Sequence, residues 1–109
     1  MAAINYFIKM TLIYLTCKDK QEAVKISKSL LNKKLIACSS LFPIRSMYFW
    51  EGKMQDNKEF AIMAKTKGKN FNLIKKEVKK MHSYDIPCIL RIHAEANEEY
   101  GKWVNKEVK

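Results

Sequence analysis

Residues 35–66 read LIACSSLFPIRSMYFWEGKMQDNKEFAIMAKT. Leu35 to Trp50 has strand character throughout, Glu51-Gly52-Lys53 supplies a turn, and Met54 to Thr66 returns, so the stretch predicts one long β-hairpin. Its arms are each roughly 12–16 residues, against about 5–6 in an ordinary strand. At about 3.3 Å per residue an unbent arm spans roughly 40–50 Å. A globule of 109 residues has a radius of gyration of only about 13 Å. The hairpin must therefore project from the body or bend at Pro43. In the outgoing arm Phe42, Ile44, Tyr48 and Trp50 alternate with Leu41, Pro43, Met47 and Phe49. In the return arm Phe60, Ile62 and Ala64 share one face, and Glu59, Ala61, Met63 and Lys65 share the other. Both faces carry large apolar groups, yet two helices cover only one face of a sheet. Either the sheet bends and covers itself, or the second face meets another copy of the chain. The second is the expectation: a homo-oligomer with hairpin arms paired between subunits and Tyr48, Phe49, Trp50 and Met63 in the contact.

The flanking segments complete a fold. Phe7 to Thr16 is rich in β-branched and aromatic residues and reads as a strand behind a short leader. Asp19 followed by Glu22 resembles a capping box. Ala23, Ile26, Ser27 and Leu30 then predict an amphipathic helix over about 20–34, with Lys33 and Lys34 in its last turn, where the macrodipole favours cations. Asn70 is placed to cap a second helix over 71–81, whose Phe71, Ile74, Val78 and Met81 recur at helical spacing. Residues 82–87 form a loop and 88–94 a fourth strand. Asn97 caps a last helix with Tyr100, Trp103, Val104 and Val108 on one face. The order β-α-β-β-α-β plus a C-terminal helix is the split βαβ of ferredoxin-like α+β domains: a four-stranded antiparallel sheet with two helices on one face. The length fits a single domain over 1–109, without a linker or internal repeat.

The formal net charge is +10, from 21 basic and 11 acidic residues, which raises nucleic acid or anionic lipid as partners. Its location argues against nucleic acid. Residues 1–34 and 67–94 each carry +5, the hairpin stretch 35–66 only +1, and 95–109 carries −1. The excess follows the helices, and Lys75, Lys76, Lys79 and Lys80 read as a solvated face. RNA-binding RRM domains share the topology but need stacking aromatics on the central strands, where Glu59 to Thr66 offers only Phe60. Cys17, Cys38 and Cys88 are odd in number and widely spaced, which argues against a disulfide framework or zinc finger and for a reducing compartment, the cytoplasm by default, with an organelle left open. The apolar start is interrupted by Asn5 and Lys9 and is too short and polar to span a bilayer.

Several motifs now stand together. Leu35-Ile36-Ala37-Cys38 leads into the hairpin, and Ser46-Met47-Tyr48-Phe49-Trp50-Glu51-Gly52-Lys53 forms its tip. Glu59 precedes the Lys65-Thr66 strand end, His82-Ser83-Tyr84-Asp85-Ile86-Pro87 precedes the last strand, and Tyr100 and Trp103 lie in the final helix. In this combination the chain resembles the CutA family of divalent-cation tolerance proteins, from about Met10 to Val108. The resemblance implies a ferredoxin-like homotrimer linked to tolerance of copper and other divalent ions. Some members bind copper, and no catalytic reaction is established for the family as a whole. It also implies a copper site made by a Cys near the end of the first strand and a His-His pair. Here the aligned first-strand position is Leu15, with Cys17 two residues on, and Met81 replaces the first His, leaving His82. Ser83 stands where the family usually has Pro, and Cys88 where it usually has an acidic residue.

The expected metal ligands are therefore His82 and Cys17, for copper or another divalent metal, because soft ions take thiolate and imidazole serves Cu(II) and Zn. The alternatives are a His82 that meets the helix dipole and cysteines that simply pack. Cys38, Glu59, Lys65 and Tyr84 are the candidates for a ligand cleft between subunits. Glu59 and Lys65 share a strand face, each is costly to bury alone, and Tyr84 is placed to donate its hydroxyl toward a small anionic or metal-bound ligand. No Ser-His-Asp order, H-E-x-x-H or glycine-rich phosphate loop is present, so no catalytic residue is expected. Two other functions stay open: a trimeric scaffold or anchor for another protein, and a basic RNA-binding module.

Overall fold

The computed structural model describes residues 7–109. The expected leader lies outside the described residues. Strand β1 (Phe7–Cys17) leads to helix α1 (Lys20–Asn32), the hairpin β2 (Cys38–Trp50) and β3 (Lys53–Thr66), helix α2 (Phe71–Met81), strand β4 (Ile89–Asn97) and helix α3 (Glu98–Glu107). The four strands form one antiparallel sheet in the order β2-β3-β1-β4. This is the expected ferredoxin-like α+β architecture.

Strand parity builds the core. Ile13, Leu15 and Cys17 of β1 lie opposite Ala64, Ile62 and Phe60 of β3, all on the face that α1 and α2 cover. Ala23, Ile26 and Leu30 of α1 and Ile74 and Val78 of α2 complete that core, each fully buried. Helix α1 starts and helix α2 runs where the sequence puts them, but the end of α1 and the cap of α2 differ from the local reading. Asp19 Oδ1 accepts the Glu22 amide at 2.9 Å, as a cap should. The helix stops at Asn32, because Lys34 turns to φ +59° and the Lys34 and Leu35 amides donate back to Leu31 and Leu30, a Schellman ending. Lys33 and Lys34 are thus not in the last helical turn, and Lys33 instead reaches Glu77 of α2 at 2.7 Å. Asn70 does not cap α2 either. A 3-10 turn (Gly68–Asn70) precedes the helix, and the buried Asn70 amide donates to the carbonyls of Leu35 and Lys109 and to Thr66 Oγ1.

The hairpin is paired from Cys38–Lys65 to Trp50–Lys53, and Glu51 and Gly52 turn it with φ of +50° and +79°. Pro43 does not bend it out of register, since β2 is an edge strand and Pro43 lies opposite Phe60. The hairpin therefore projects. Pairing with β1 ends at Cys17–Phe60, leaving the outer arms without a third strand. The molecule measures 59 × 31 × 21 Å, with a radius of gyration of 15.7 Å.

Helix α3 takes part of the second sheet face. Gly101 sits so close to Ile8 that a Cβ would stand 2.3 Å from the Ile8 Cβ, and Ile8 points away from the α1–α2 core. Elsewhere that face keeps Phe42, Leu90 and Ile92 in solvent, and the opposite side of the outer hairpin exposes Met47, Phe49 and Met54. Among the described residues no helix is long and apolar enough to cross a membrane.

Candidate functional site

Where the hairpin leaves the body, the end of β1, the start of α1 and the 82–88 loop converge. Glu22 ties them. Its Oε1 accepts the Lys18 amide and its Oε2 the Ser83 amide, both at 3.1 Å. Burial alone would raise this carboxyl, but the bonds from Ser83 and Lys18 hold it below its ordinary range. His82 Nε2 stands 2.7 Å from the Thr16 carbonyl, and its Nδ1 accepts the Tyr84 amide at 3.1 Å. A carbonyl only accepts and an amide only donates, so the ring is neutral with its proton on Nε2. Cys17, fully buried beside it, has its thiol pushed up to about 12, by desolvation first and then by the nearby carboxylates of Glu22, Asp19 and Glu59.

Outside this network a cleft of about 540 Å³ opens against the second sheet face. The rings of Tyr48, Trp50 and Tyr84 line it together with Glu59, Asp85 and Gln55. Tyr84 donates its hydroxyl to Glu59 Oε2 at 2.5 Å and tilts against the His82 ring, centroids 4.9 Å apart. Desolvation and then that bond raise the Tyr84 phenol. The Asn57 amide donates to the Tyr48 hydroxyl at 3.1 Å, which fixes a second wall. Cys88 also lines the cleft, its thiol raised mainly by burial.

Cys38 and Lys65 form a separate cluster. Lys65 Nζ donates to Ser40 Oγ at 2.9 Å and stands 3.9 Å from Cys38 Sγ. Tyr100 of α3 lies against Cys38, and its phenol is raised by burial first and then by that thiol.

The structure thus brings His82 and Cys17 together and joins Tyr84 to Glu59. It does not bring Cys38 and Lys65 to that cleft within one chain: Lys65 is six residues along β3 from Glu59, roughly 20 Å in an extended strand. Tyr48 and Trp50 line the cleft, Phe49 stands on the opposite hairpin face, and half-buried Met63 lies between Tyr14 and Ser40. Glu22 was legible only as a helix-start residue; its acid at the third position of α1 gave no hint of a partner 61 residues away.

The profile of the CutA1 divalent ion tolerance proteins matches residues 11–107. This chain belongs to the CutA1 divalent ion tolerance family. The CutA divalent-cation tolerance protein of Archaeoglobus fulgidus is 44% identical over 97 residues, spanning 88% of this chain and 95% of its own. That of Pyrococcus horikoshii is 40% identical over 101 residues, 92% of this chain and 99% of its own. The solved CutA of Archaeoglobus fulgidus superposes with a TM-score of 0.89 at 42% identity, covering 92% of this chain and 99% of that one. CutA1 of Oryza sativa reaches 0.90 at only 28% identity, covering 94% and 95%.

A CutA chain invites the question of a metal. Copper and zinc take sulfur, imidazole and carboxylate donors, and Cys17, Glu22 and His82 bring one of each within 4.8 Å of one another. Their bonding state does not fit an ion. Both His82 nitrogens and both Glu22 oxygens are already engaged, and the Cys17 thiol keeps its proton. An ion would have to separate His82 from Thr16 and expel that proton.

Proposed function

We propose that this CutA-family chain acts as a homotrimer in cytoplasmic tolerance of divalent cations, copper among them, without catalysing a reaction. The projecting hairpin carries this reading. Its outer arms have no strand beside them and expose Met47, Phe49 and Met54 on one face, while Phe42, Leu90 and Ile92 stay in solvent on the second sheet face. Such surface on a small chain asks for a partner. The free edges are the unlike strands β2 and β4, so pairing one with the other is head-to-tail. Head-to-tail contacts close into rings, and three copies make the smallest ring. Phe49 and Met63 belong to the proposed contact, with Tyr48 and Trp50 at its border.

Light scattering across a size-exclusion peak tests the assembly. The expected mass is three times the 12.8 kDa of the chain, and Phe49→Lys with Met47→Lys is expected to lower it. A monomer at micromolar concentration would overturn the reading. A copper contact is supported only by the donor types at Cys17 and His82, since His82 would have to leave Thr16 and Cys17 to lose its proton to make it. Equilibrium dialysis with Cu(II) and Zn(II) is expected to show lower uptake by Cys17→Ser and His82→Ala than by wild type, and unchanged stoichiometry would remove both residues from the reading.

A further inference from the structure

The helix layer carries a positive charge that nothing in the chain balances. Helices α1 and α2 hold seven lysines and two acids, Glu22 and Glu77. Neither acid is free to face outward. Glu22 is given to the Lys18 and Ser83 amides, and Glu77 sits between the helices with Ser29, Lys33 and Lys80. Among the described residues no acid pairs with Lys25, Lys28, Lys76 or Lys79. At about 100° per residue, Lys25 and Lys28 centre on the side of α1 opposite its buried Ala23, Ile26 and Leu30. Lys76 and Lys79 likewise centre opposite Ile74 and Val78 of α2, and all four lysines are exposed. They share one outward surface.

A face that only meets water does not call for this arrangement. Like charges three or four residues apart repel along a helix, as Lys25 and Lys28, Lys76 and Lys79, and Lys76 and Lys80 do. Helix α3 shows the ordinary solution, with acids interleaved and Lys102 paired to Glu98 at 2.6 Å. An anionic surface laid against α1 and α2 relieves the repulsion. The layer lies across the sheet from the face proposed for self-association, so assembly leaves it outside.

The residue types say which anionic surface fits. Both arginines are engaged elsewhere, Arg45 with Asp56 and Arg91 over Phe71, so the face lacks the planar fork that grips single phosphates. The outer face offers no ring on which a nucleic-acid base could stack. At its rim stand Leu31, one turn past Lys28, and Leu73, one turn before Lys76, both exposed. Leucines among lysines suit a lipid headgroup layer, where apolar groups enter the boundary and cations meet the charge.

We propose that the outer face of α1 and α2 docks the protein reversibly on an anionic membrane surface, with Lys25, Lys28, Lys76 and Lys79 on the headgroups and Leu31 and Leu73 at the boundary. Each lysine at such a surface contributes about fivefold in affinity, so the four together contribute roughly several hundredfold. The proposal rests on neither the copper contact nor the number of copies in the ring.

Sedimentation of the native oligomer with phosphatidylcholine vesicles, with and without phosphatidylserine, tests it at physiological salt. Saturable binding is expected only with phosphatidylserine, and high salt should release it. Lys25→Gln, Lys28→Gln, Lys76→Gln and Lys79→Gln together should weaken binding by roughly fiftyfold or more. Leu31→Ser with Leu73→Ser should weaken it severalfold. A control with the same loss of charge elsewhere, Lys53→Gln, Lys58→Gln, Lys102→Gln and Lys106→Gln, should change it by less than about fivefold. Every replaced residue is exposed, so the variants should fold, and light scattering checks that their mass matches wild type. Failure to bind phosphatidylserine vesicles, equal binding to both vesicles, or equal weakening by the two lysine variants would each overturn the proposal. So would tighter binding to RNA than to phosphatidylserine vesicles at the same salt, which would make nucleic acid the partner of this face.

Discussion

Replacing Glu22 by Gln changes one atom and asks whether the carboxylate holds the site together. The two Glu22 oxygens accept two backbone amides, Lys18 on one side and Ser83 on the other. Gln has the same shape but offers one oxygen and one NH2. One amide keeps a neutral acceptor, and the other faces a donor. A hydrogen bond to a charged group contributes about 1.5–3 kcal/mol, and an orphaned buried donor costs about 1–3 kcal/mol. The expected loss is therefore about 2–4 kcal/mol near neutral pH. With a urea slope of roughly 1–3 kcal/mol/M, the unfolding midpoint falls by about 1–3 M. The acid limb supplies the sign. The folded-state pKa of Glu22 lies below its ordinary 4.5. Its contribution is thus fully present above that ordinary value and is lost as pH falls through the folded-state value. Wild type and variant should converge in acid, because protonated Glu22 also presents a donor. The assay is urea unfolding followed by far-UV circular dichroism, at one fixed protein concentration and at several pH values between 3 and 7, since an assembled protein's midpoint moves with concentration. A difference under about 0.5 kcal/mol at pH 7, well below a typical single hydrogen bond, would refute the reasoning. So would a difference that stays constant down to pH 3.

Gly101→Ala should destabilise, although Ala is the better helix former by about 1 kcal/mol. The new Cβ would stand 2.3 Å from Ile8 Cβ, an overpacking worth about 3 kcal/mol, so melting should drop by several degrees, and adding Ile8→Ala should restore part of it. Thr66→Val keeps the shape of a fully buried residue but removes its 2.6 Å bond to the Leu35 carbonyl and an acceptor for Asn70, for an expected loss of about 1–2 kcal/mol in denaturant unfolding. Cys17, fully buried with its thiol pushed up to about 12, should resist iodoacetamide at pH 8 in the native protein and react once unfolded, as read by peptide mass spectrometry.

The fold was legible wherever periodicity is local. Period-2 alternation in Leu41–Trp50 and the 3-4-3 spacing of Phe71 to Met81 placed the hairpin and α2 correctly, because each pattern exists only to bury one face. Elements set by distant partners were misread. Strand β4 runs on to Asn97, past the expected Ala94, because Lys9, Ile8 and Phe7 continue to pair with Glu95, Ala96 and Asn97. Asn70 has the chemistry of a cap but is used to tie the Leu35, Thr66 and Lys109 ends together. The candidate site divides the same way. His82 and Cys17 stood out by residue type. Glu22 did not, because its role depends on a loop that tertiary structure brings to it. The parting of Glu59 and Lys65 was equally hidden, since only the structure shows that Lys65, on the same strand face, turns to Ser40 and Cys38 of its own chain.

Ser83 shows how one substitution closes the network. The family resemblance sets Pro at this position, and His82 before it is already extended at φ −75° and ψ 139°, a backbone that tolerates a following Pro. Sterics at His82 therefore do not explain the serine. Hydrogen bonding does: Pro has no N–H, and the Ser83 N–H is one of the two amides that Glu22 accepts. Ser83→Pro should cost about 1.5–3 kcal/mol for the lost bond and return about 0.4–1 kcal/mol through a stiffer unfolded chain, a net loss of about 1–2 kcal/mol. Because Glu22→Gln removes part of the same interaction, Ser83→Pro should cost less in that background, and a double-mutant cycle by urea unfolding measures the difference. Strict additivity would mean that the Ser83 amide and the Glu22 carboxylate act independently. The closed bonding of Cys17, Glu22 and His82 would then owe nothing to the serine.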